Sequence, residues 1–365
     1  MTNSSTPRET NHSSLPVKRA VQAMSGYNLV QPNCQIKLNQ NECPFDVPQD
    51  LKREIMNEAL DNNWGRYPGF QPIETKKAIA KSNGLDPDNI LIGNGSNELI
   101  QAIFQTTISE KNRVVLQSPT FSLYDLMGKV AGAELKTIPL RADLSFDIDA
   151  LVEESAHPDV RLIVICSPNN PTGSLITLED TSEIAKVTRG LVVIDEAYHE
   201  FSGISYIKLL EEYPNIIITR TFSKAIGAAG LRIGYLIGNP TIVREIEKVK
   251  LPYNVNIISL IAAKKLILQK LLIEERTGLI KNERERVFKN LQTIPSVFPY
   301  RSHANFILFE VDRRVSDIFY GLIEHGILIR DVSHYPMLER ALRVTVGLPD
   351  ENNAFLNALR TVLNS

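Results

Sequence analysis

The chain has little cysteine, no excess of either charge and no long apolar run. Its three cysteines, Cys34, Cys43 and Cys166, are scattered over 365 residues in no CxxC or Cys/His spacing. That excludes a disulfide framework, argues against a structural zinc site and makes a reducing, cytoplasmic setting the expectation. Forty basic side chains against 42 acidic ones leave a formal charge of -2, so neither a general nucleic-acid binder nor a membrane-surface protein is indicated. No apolar run approaches the roughly eighteen residues that a membrane span requires. The first stretch, MTNSSTPRETNHSSLP, is polar and lacks the apolar centre of a signal peptide; it is expected to be a disordered tail. None of the six histidines has a metal-like spacing, so no metal is expected. A phosphate loop of the GxxxxGK[ST] kind is also absent.

What is present is an ordinary globular composition, 43% hydrophobic and 22% charged, long enough for about two domains. From Pro48 onward, helical patterns alternate with short apolar runs at 90–92, 114–116, 162–165, 191–194, 216–218 and 233–237. These runs are too continuous for one-sided strands, and their spacing leaves room for a helix between neighbours. That is the pattern of a mostly parallel sheet buried on both faces, with functional loops leaving the carboxyl ends of its strands. After residue 252 a long helical stretch is predicted, roughly 257–291, its charged second half forming a solvated face between domains. Three later runs, 304–311, 327–329 and 342–346, suggest a second, smaller sheet. The expected organisation is α/β: a tail and arm over 1–47, a large domain over 48–250, and a linker helix with a small α+β domain over 251–365.

Polar clusters follow the buried strands. Gly93-Asn94-Gly95-Ser96-Asn97-Glu98 precedes an apolar helical pattern, and a Gly-rich turn entering a helix offers backbone N–H groups to a phosphate; an N-cap without ligand explains it equally well. Residues 167–173, SPNNPTG, form a rigid turn that can present an Asn side chain. Asp195 ends the strongly apolar run LVVID, where an unpaired carboxylate is costly and a cationic partner is expected. Lys224 follows the run at 216–218 beside Ser223, with Arg232 eight residues on. A lysine at such a strand end has a lowered pKa and attacks carbonyls, although a lone lysine is ordinarily a surface residue.

Taken together, TFSKAIGAAGLRIGY, SPNNPTG and DEAYHEF resemble the lysine segment and neighbouring segments of the class II pyridoxal-phosphate aminotransferases of fold type I. KLNQNECPF, RYP at 66–68, GNGSNELI, SPTFSLY, VKLPYNVN, HANFILF, LIRD and LRVTVG are similar to segments of the histidinol-phosphate aminotransferases. The resemblance runs from about Tyr27 to the C-terminus. It implies pyridoxal phosphate as cofactor, bound covalently by Lys224, with Asp195 on the pyridine nitrogen and Asn170 and Tyr198 on the ring 3′-oxygen. Ser96, Asn97, Ser223 and Arg232 would hold the cofactor phosphate, and Phe121 would stack on the ring. Tyr67 would reach the phosphate of a partner copy in a homodimer. Tyr27, Arg330 and Arg343 would meet the substrate, two arginines suiting a phosphate ester better than one.

The activity so implied is amino transfer between histidinol phosphate and 2-oxoglutarate, a step of histidine biosynthesis. An aromatic amino-acid aminotransferase and a lyase resembling the threonine-phosphate decarboxylases share the cofactor residues. A regulator built on the same fold would carry a helix-turn-helix domain ahead of it, and the residues before Asn41 are not patterned as one. Cys43 and Asn97 depart from the family segments, which have Asn and Asp there.

Overall fold

The structure is a computed structural model that describes residues 16–24 and 32–364. They fall into two units. The first holds one short helix, Arg19–Gln22; the expected disordered tail and Tyr27 lie outside the described residues. The second contains everything else.

Its strands, in chain order, are β1 (Ile36–Lys37), β2 (Ile90–Gly93), β3 (Arg113–Ser118), β4 (Glu134–Pro139), β5 (Val160–Cys166), β6 (Leu191–Asp195), β7 (Ile216–Thr221), β8 (Gly234–Gly238), β9 (Val297–Pro299), β10 (Phe306–Val311), β11 (Ile327–Leu328), β12 (Arg330–Asp331) and β13 (Ala341–Thr345). Seven of them form one sheet in the order β2-β8-β7-β6-β5-β3-β4. Only β8 runs against its neighbours, so the sheet is mostly parallel, as the sequence indicated.

Burial on both faces explains the continuous apolar runs. Val115, Ile163, Ile165, Ile194 and Ile218 point to one core, with helices Gln49–Leu60, Ile73–Asn83 and Ile257–Leu266. Val114, Leu116, Val164, Val193 and Ile217 point to the other, with helix Ser96–Thr107. Alternate residues of these runs therefore serve opposite apolar layers, which is why the runs are continuous. The parallel register aligns Cys166 with Asp195 and Asp195 with Thr219, so three strands end side by side. That common edge carries the polar clusters.

Three expectations need correction. The sequence reading omitted β4, an edge strand whose residues are half-buried or exposed and which therefore shows no apolar run. The long helix expected over 257–291 is two helices, Ile257–Leu266 and Lys270–Gln292. Each belongs to a different core: the first packs on the large sheet's helices, whereas the second buries Ile280, Val287, Phe288 and Leu291 against the small sheet. Its charged half keeps a solvated face, as expected, and buries the opposite one. Finally, the run at 327–329 does not form one strand of the small sheet. β11 pairs in parallel with β1 from the N-terminal arm, and only β12 joins the antiparallel four-stranded sheet β12-β13-β10-β9.

Candidate active site

The turn after β7 places Lys224 at the strand edge. Its Nζ donates to the Gln40 carbonyl at 2.8 Å and sits 6.0 Å from the Tyr198 ring. Burial, with Arg343 and Arg232 nearby, lowers its pKa to about 8, against partial opposition from Glu42 and Asp195. Roughly a tenth of the amine is therefore uncharged at pH 7, far more than for an ordinary lysine, and the uncharged amine is the state a nucleophile needs.

Asp195 at the end of β6 is 4% exposed. It accepts from the Tyr124 hydroxyl at 2.6 Å and from the Ala197 N–H at 3.1 Å. No described cation forms an ion pair with it, and burial raises its pKa despite those donors. A buried carboxylate of this kind can pair with a positive group supplied from outside the chain. Tyr124, whose own pKa burial raises further, stays a donor throughout; the sequence reading missed it. Its signal was the tyrosine three residues after Phe121 in SPTFSLY, in the first turn of helix Leu123–Ala131. Phe121, half-buried, packs edge-on to Tyr124 with centroids 5.6 Å apart.

The 167–173 turn divides its two asparagines between structure and site. Asn169, wholly buried, donates to the Pro119 carbonyl and the Thr172 hydroxyl and accepts from Thr120. It fixes the turn. Asn170 is left half-buried, its Oδ1 accepting from an Arg343 Nη. The Tyr198 hydroxyl, buried and with its pKa raised by burial, accepts from Asn41 Nδ2 at 3.0 Å. Asn41 in turn is tied to Thr345 and Asn305. This arm segment was recognised in the sequence only as a family motif, since its hydrogen bonds span some 150 to 300 positions.

A second cradle lies where β2 turns into helix Ser96–Thr107. Gly95 caps the helix at φ 79°, and a Cβ there would lie 2.6 Å from Arg232 Nη2. Gly234 approaches so closely that a Cβ would lie 2.2 Å from the Ser96 nitrogen. Arg232, itself at φ 51°, also reaches the Ser223 hydroxyl at 3.4 Å. The start of the helix, the Ser223 hydroxyl and the Arg232 guanidinium thus come together at this turn, next to Ser96. That donor set fits a phosphate group. Asn97 is exposed at the same helix start.

Arg330 and Arg343 are register partners on β12 and β13, so their side chains leave the same face of the sheet. Arg343 is buried, donates to the Asn39 carbonyl at 2.8 Å and stacks on Phe306 at 5.1 Å. Arg330 is half-buried and makes no ion pair with Asp331 or any other described acid. Tyr67 lies apart from this cluster. It is 80% exposed and stacks on Tyr253 with centroids 4.6 Å apart. His334 is an exposed ring against Tyr335, His199 bonds the Glu196 carbonyl, and His303 lies at the surface with its backbone N–H on the Gly173 carbonyl. No group of three described His, Cys, Asp or Glu residues is placed to hold a metal.

A seven-stranded, mostly parallel sheet with a lysine, a buried aspartate and a phosphate cradle at one edge defines an α/β transferase of fold type I. The family model for aminotransferase class I and II matches residues 33–359, and the chain belongs to that family. It is 39% identical to a histidinol-phosphate aminotransferase of Chlorobium phaeovibrioides over 90% of this chain and 91% of that one. The structure is similar to that of the histidinol-phosphate aminotransferase from Sinorhizobium meliloti in complex with pyridoxal-5′-phosphate. That likeness has a TM-score of 0.86 and 26% identity over 96% of this chain and 99% of the other. A histidinol-phosphate aminotransferase from Clostridium acetobutylicum gives a TM-score of 0.84 at 26% identity, over 90% and 99% of the two chains.

Proposed function

We propose that this chain transfers the amino group between histidinol phosphate and 2-oxoglutarate, with pyridoxal phosphate as its cofactor. The donor sets support that cofactor: an anion cradle at Ser96, Asn97, Ser223 and Arg232, a buried carboxylate lacking a cation, and an amine of lowered pKa. Bound there, pyridoxal phosphate supplies an electron sink that loosens a bond at the carbon bearing the substrate nitrogen. Asp195 keeps a proton on the pyridine nitrogen, held in place by Tyr124 and the Ala197 N–H. Asn170 and Tyr198 orient the ring oxygen, and Phe121 covers a ring face. Lys224 would hold the cofactor, and its uncharged amine could take or return a proton at the substrate carbon.

The observation that carries the substrate reading is the Arg330–Arg343 pair. A carboxylate is satisfied by one guanidinium, whereas a phosphate dianion is better met by two. Two arginines side by side on one sheet face are therefore suited to a phosphate ester on the carbon next to the amine. We place cofactor binding in 48–250 and the arginine grip in 251–365. Tyr27 is included among the substrate contacts on family resemblance.

The exposed aromatics Trp64, Tyr67, Phe70 and Tyr253, with Leu251, form an apolar face that a second copy would cover. Tyr67 of each copy then reaches the other's cofactor phosphate. Among the described residues no helix is long and apolar enough to cross a membrane, and a cytoplasmic homodimer is the arrangement we propose.

The test is an assay of the purified protein with 2-oxoglutarate against histidinol phosphate, phenylalanine, tyrosine and threonine phosphate. The expected result is the highest kcat/KM with histidinol phosphate. Preference for phenylalanine would make it an aromatic aminotransferase, and release of carbon dioxide from threonine phosphate would make it a lyase.

A further inference from the structure

The arm segment 39–43 lies along the site in a fixed order. The Asn39 carbonyl accepts from Arg343 at 2.8 Å, and the Gln40 carbonyl accepts from Lys224 Nζ at 2.8 Å. Asn41, at φ 55°, is bonded through its side chain to Tyr198 and through its carbonyl to Asn305 Nδ2 at 3.0 Å. Beyond it, Cys43 Sγ lies 4.0 Å from the Ala225 carbonyl. The lysine turn presses back on the same segment: a Cβ on Gly227 would sit 2.8 Å from the Phe45 carbonyl and 3.4 Å from Cys43 Cβ. The backbone on both sides of Glu42 is thus pinned over Lys224.

Glu42 itself is exposed and has no hydrogen bond or ion pair with any described residue. Nothing in the fold uses its carboxylate. Yet its field at Lys224 exceeds that of Asp195 or Arg232, which places the charge at the mouth of the lysine site. Among the described residues whose charge acts on Lys224, Arg343 and Arg232 are cations and Glu42 and the buried Asp195 are the acids.

Histidinol phosphate has three parts in a row: a phosphate ester, the amino-bearing carbon and an imidazole with an N–H donor. The arm presents three anchors in the same order: Arg343 at Asn39, with Arg330 its register partner on the next strand, the lysine at Gln40, and Glu42 beyond. Three residues of chain span at most about 10 Å, which is the scale of that substrate. We propose that Glu42 is the residue that recognises the imidazole, its carboxylate accepting the ring N–H. The proposal rests on the histidinol-phosphate reading and adds the selectivity that two arginines alone cannot supply. The arginines hold any phosphate ester, and Glu42 selects the one bearing a hydrogen-bonding ring.

The experiment is isothermal titration of the cofactor-loaded protein with histidinol phosphate and with 2-aminopropyl phosphate, which keeps the amine and phosphate and lacks the ring. Glu42→Ala should weaken histidinol phosphate about tenfold or more, the loss of one charge-assisted hydrogen bond. It should leave 2-aminopropyl phosphate within about twofold of wild type. Glu42→Asp should recover part of the loss, and Glu42→Gln should fall between Asp and Ala. Equal losses for the two ligands, or no loss, would overturn the assignment while leaving the aminotransferase reading in place. Wild-type protein that binds 2-aminopropyl phosphate as tightly as histidinol phosphate would overturn both.

Discussion

Lys224 and Asp195 carry opposite versions of one physical effect. Burial disfavours charge, so the lysine is driven toward the amine and the carboxylate toward the acid. For Lys224 the consequence is a pH profile. Its pKa falls from 10.5 to about 8, so the reactive amine accumulates as pH rises through about 8. In cofactor-free protein, the rate of pyridoxal phosphate capture, followed by absorbance, should rise with an inflection near there. Arg343→Met removes one of the cations that press on the ammonium and should move the inflection upward. An inflection near 10 in wild type would mean that the lysine is solvated. At this scale the sequence was informative about chemistry and silent about geometry. Lys224, Asp195, Asn170 and Arg232 stand in motifs that suggest their chemistry. Tyr124, Asn39, Gln40 and Asn41 also stand in recognisable segments, but they act through contacts far apart in the chain, and the arm's three carbonyl contacts are ones that no side-chain pattern reveals.

Among the elements, the strands of the large sheet were legible because both faces are buried and their residues are continuously apolar. The edge strand β4, the short strand β9 and the two-residue strands β1 and β12 were not, because each depends on a partner rather than on its own pattern, whereas β11 was expected as a strand and only its partner was not. The break between helices Ile257–Leu266 and Lys270–Gln292 was hidden for a related reason: no Gly or Pro marks it, and it exists because the two halves serve different cores. The junction of β8 with the helix beginning at Ser96 makes a sharper prediction. A methyl on Gly234 would meet main-chain atoms, Ser96 N at 2.2 Å and Gly95 C at 2.5 Å, which cannot rotate away. Gly234→Ala should cost roughly 1–3 kcal/mol of stability and weaken cofactor affinity, because the displaced helix start is part of the phosphate cradle. Thermal denaturation with and without pyridoxal phosphate measures both. An unchanged Tm with unchanged affinity would show that the cradle does not depend on this approach.

For the molecule as a whole, family and fold class were legible from the motifs, and the comparisons bear them out. The proposed homodimer would cover the exposed Tyr67–Tyr253 face. Wild type should sediment as a dimer, and Tyr67→Asp combined with Leu251→Asp should shift it to monomer with loss of turnover; a monomeric wild type with full activity would refute the shared site. The central claim is that two arginines from one small sheet grip a phosphate ester. It is tested by the ratio of kcat/KM for histidinol phosphate to that for phenylalanine, measured in wild type and in Arg330→Ala. Each guanidinium–phosphate contact is worth about 1.5–3 kcal/mol, so the ratio should fall roughly tenfold or more, since Arg343 alone still holds a carboxylate. A ratio unchanged by Arg330→Ala would contradict the account and leave Arg330 as a residue of the rim.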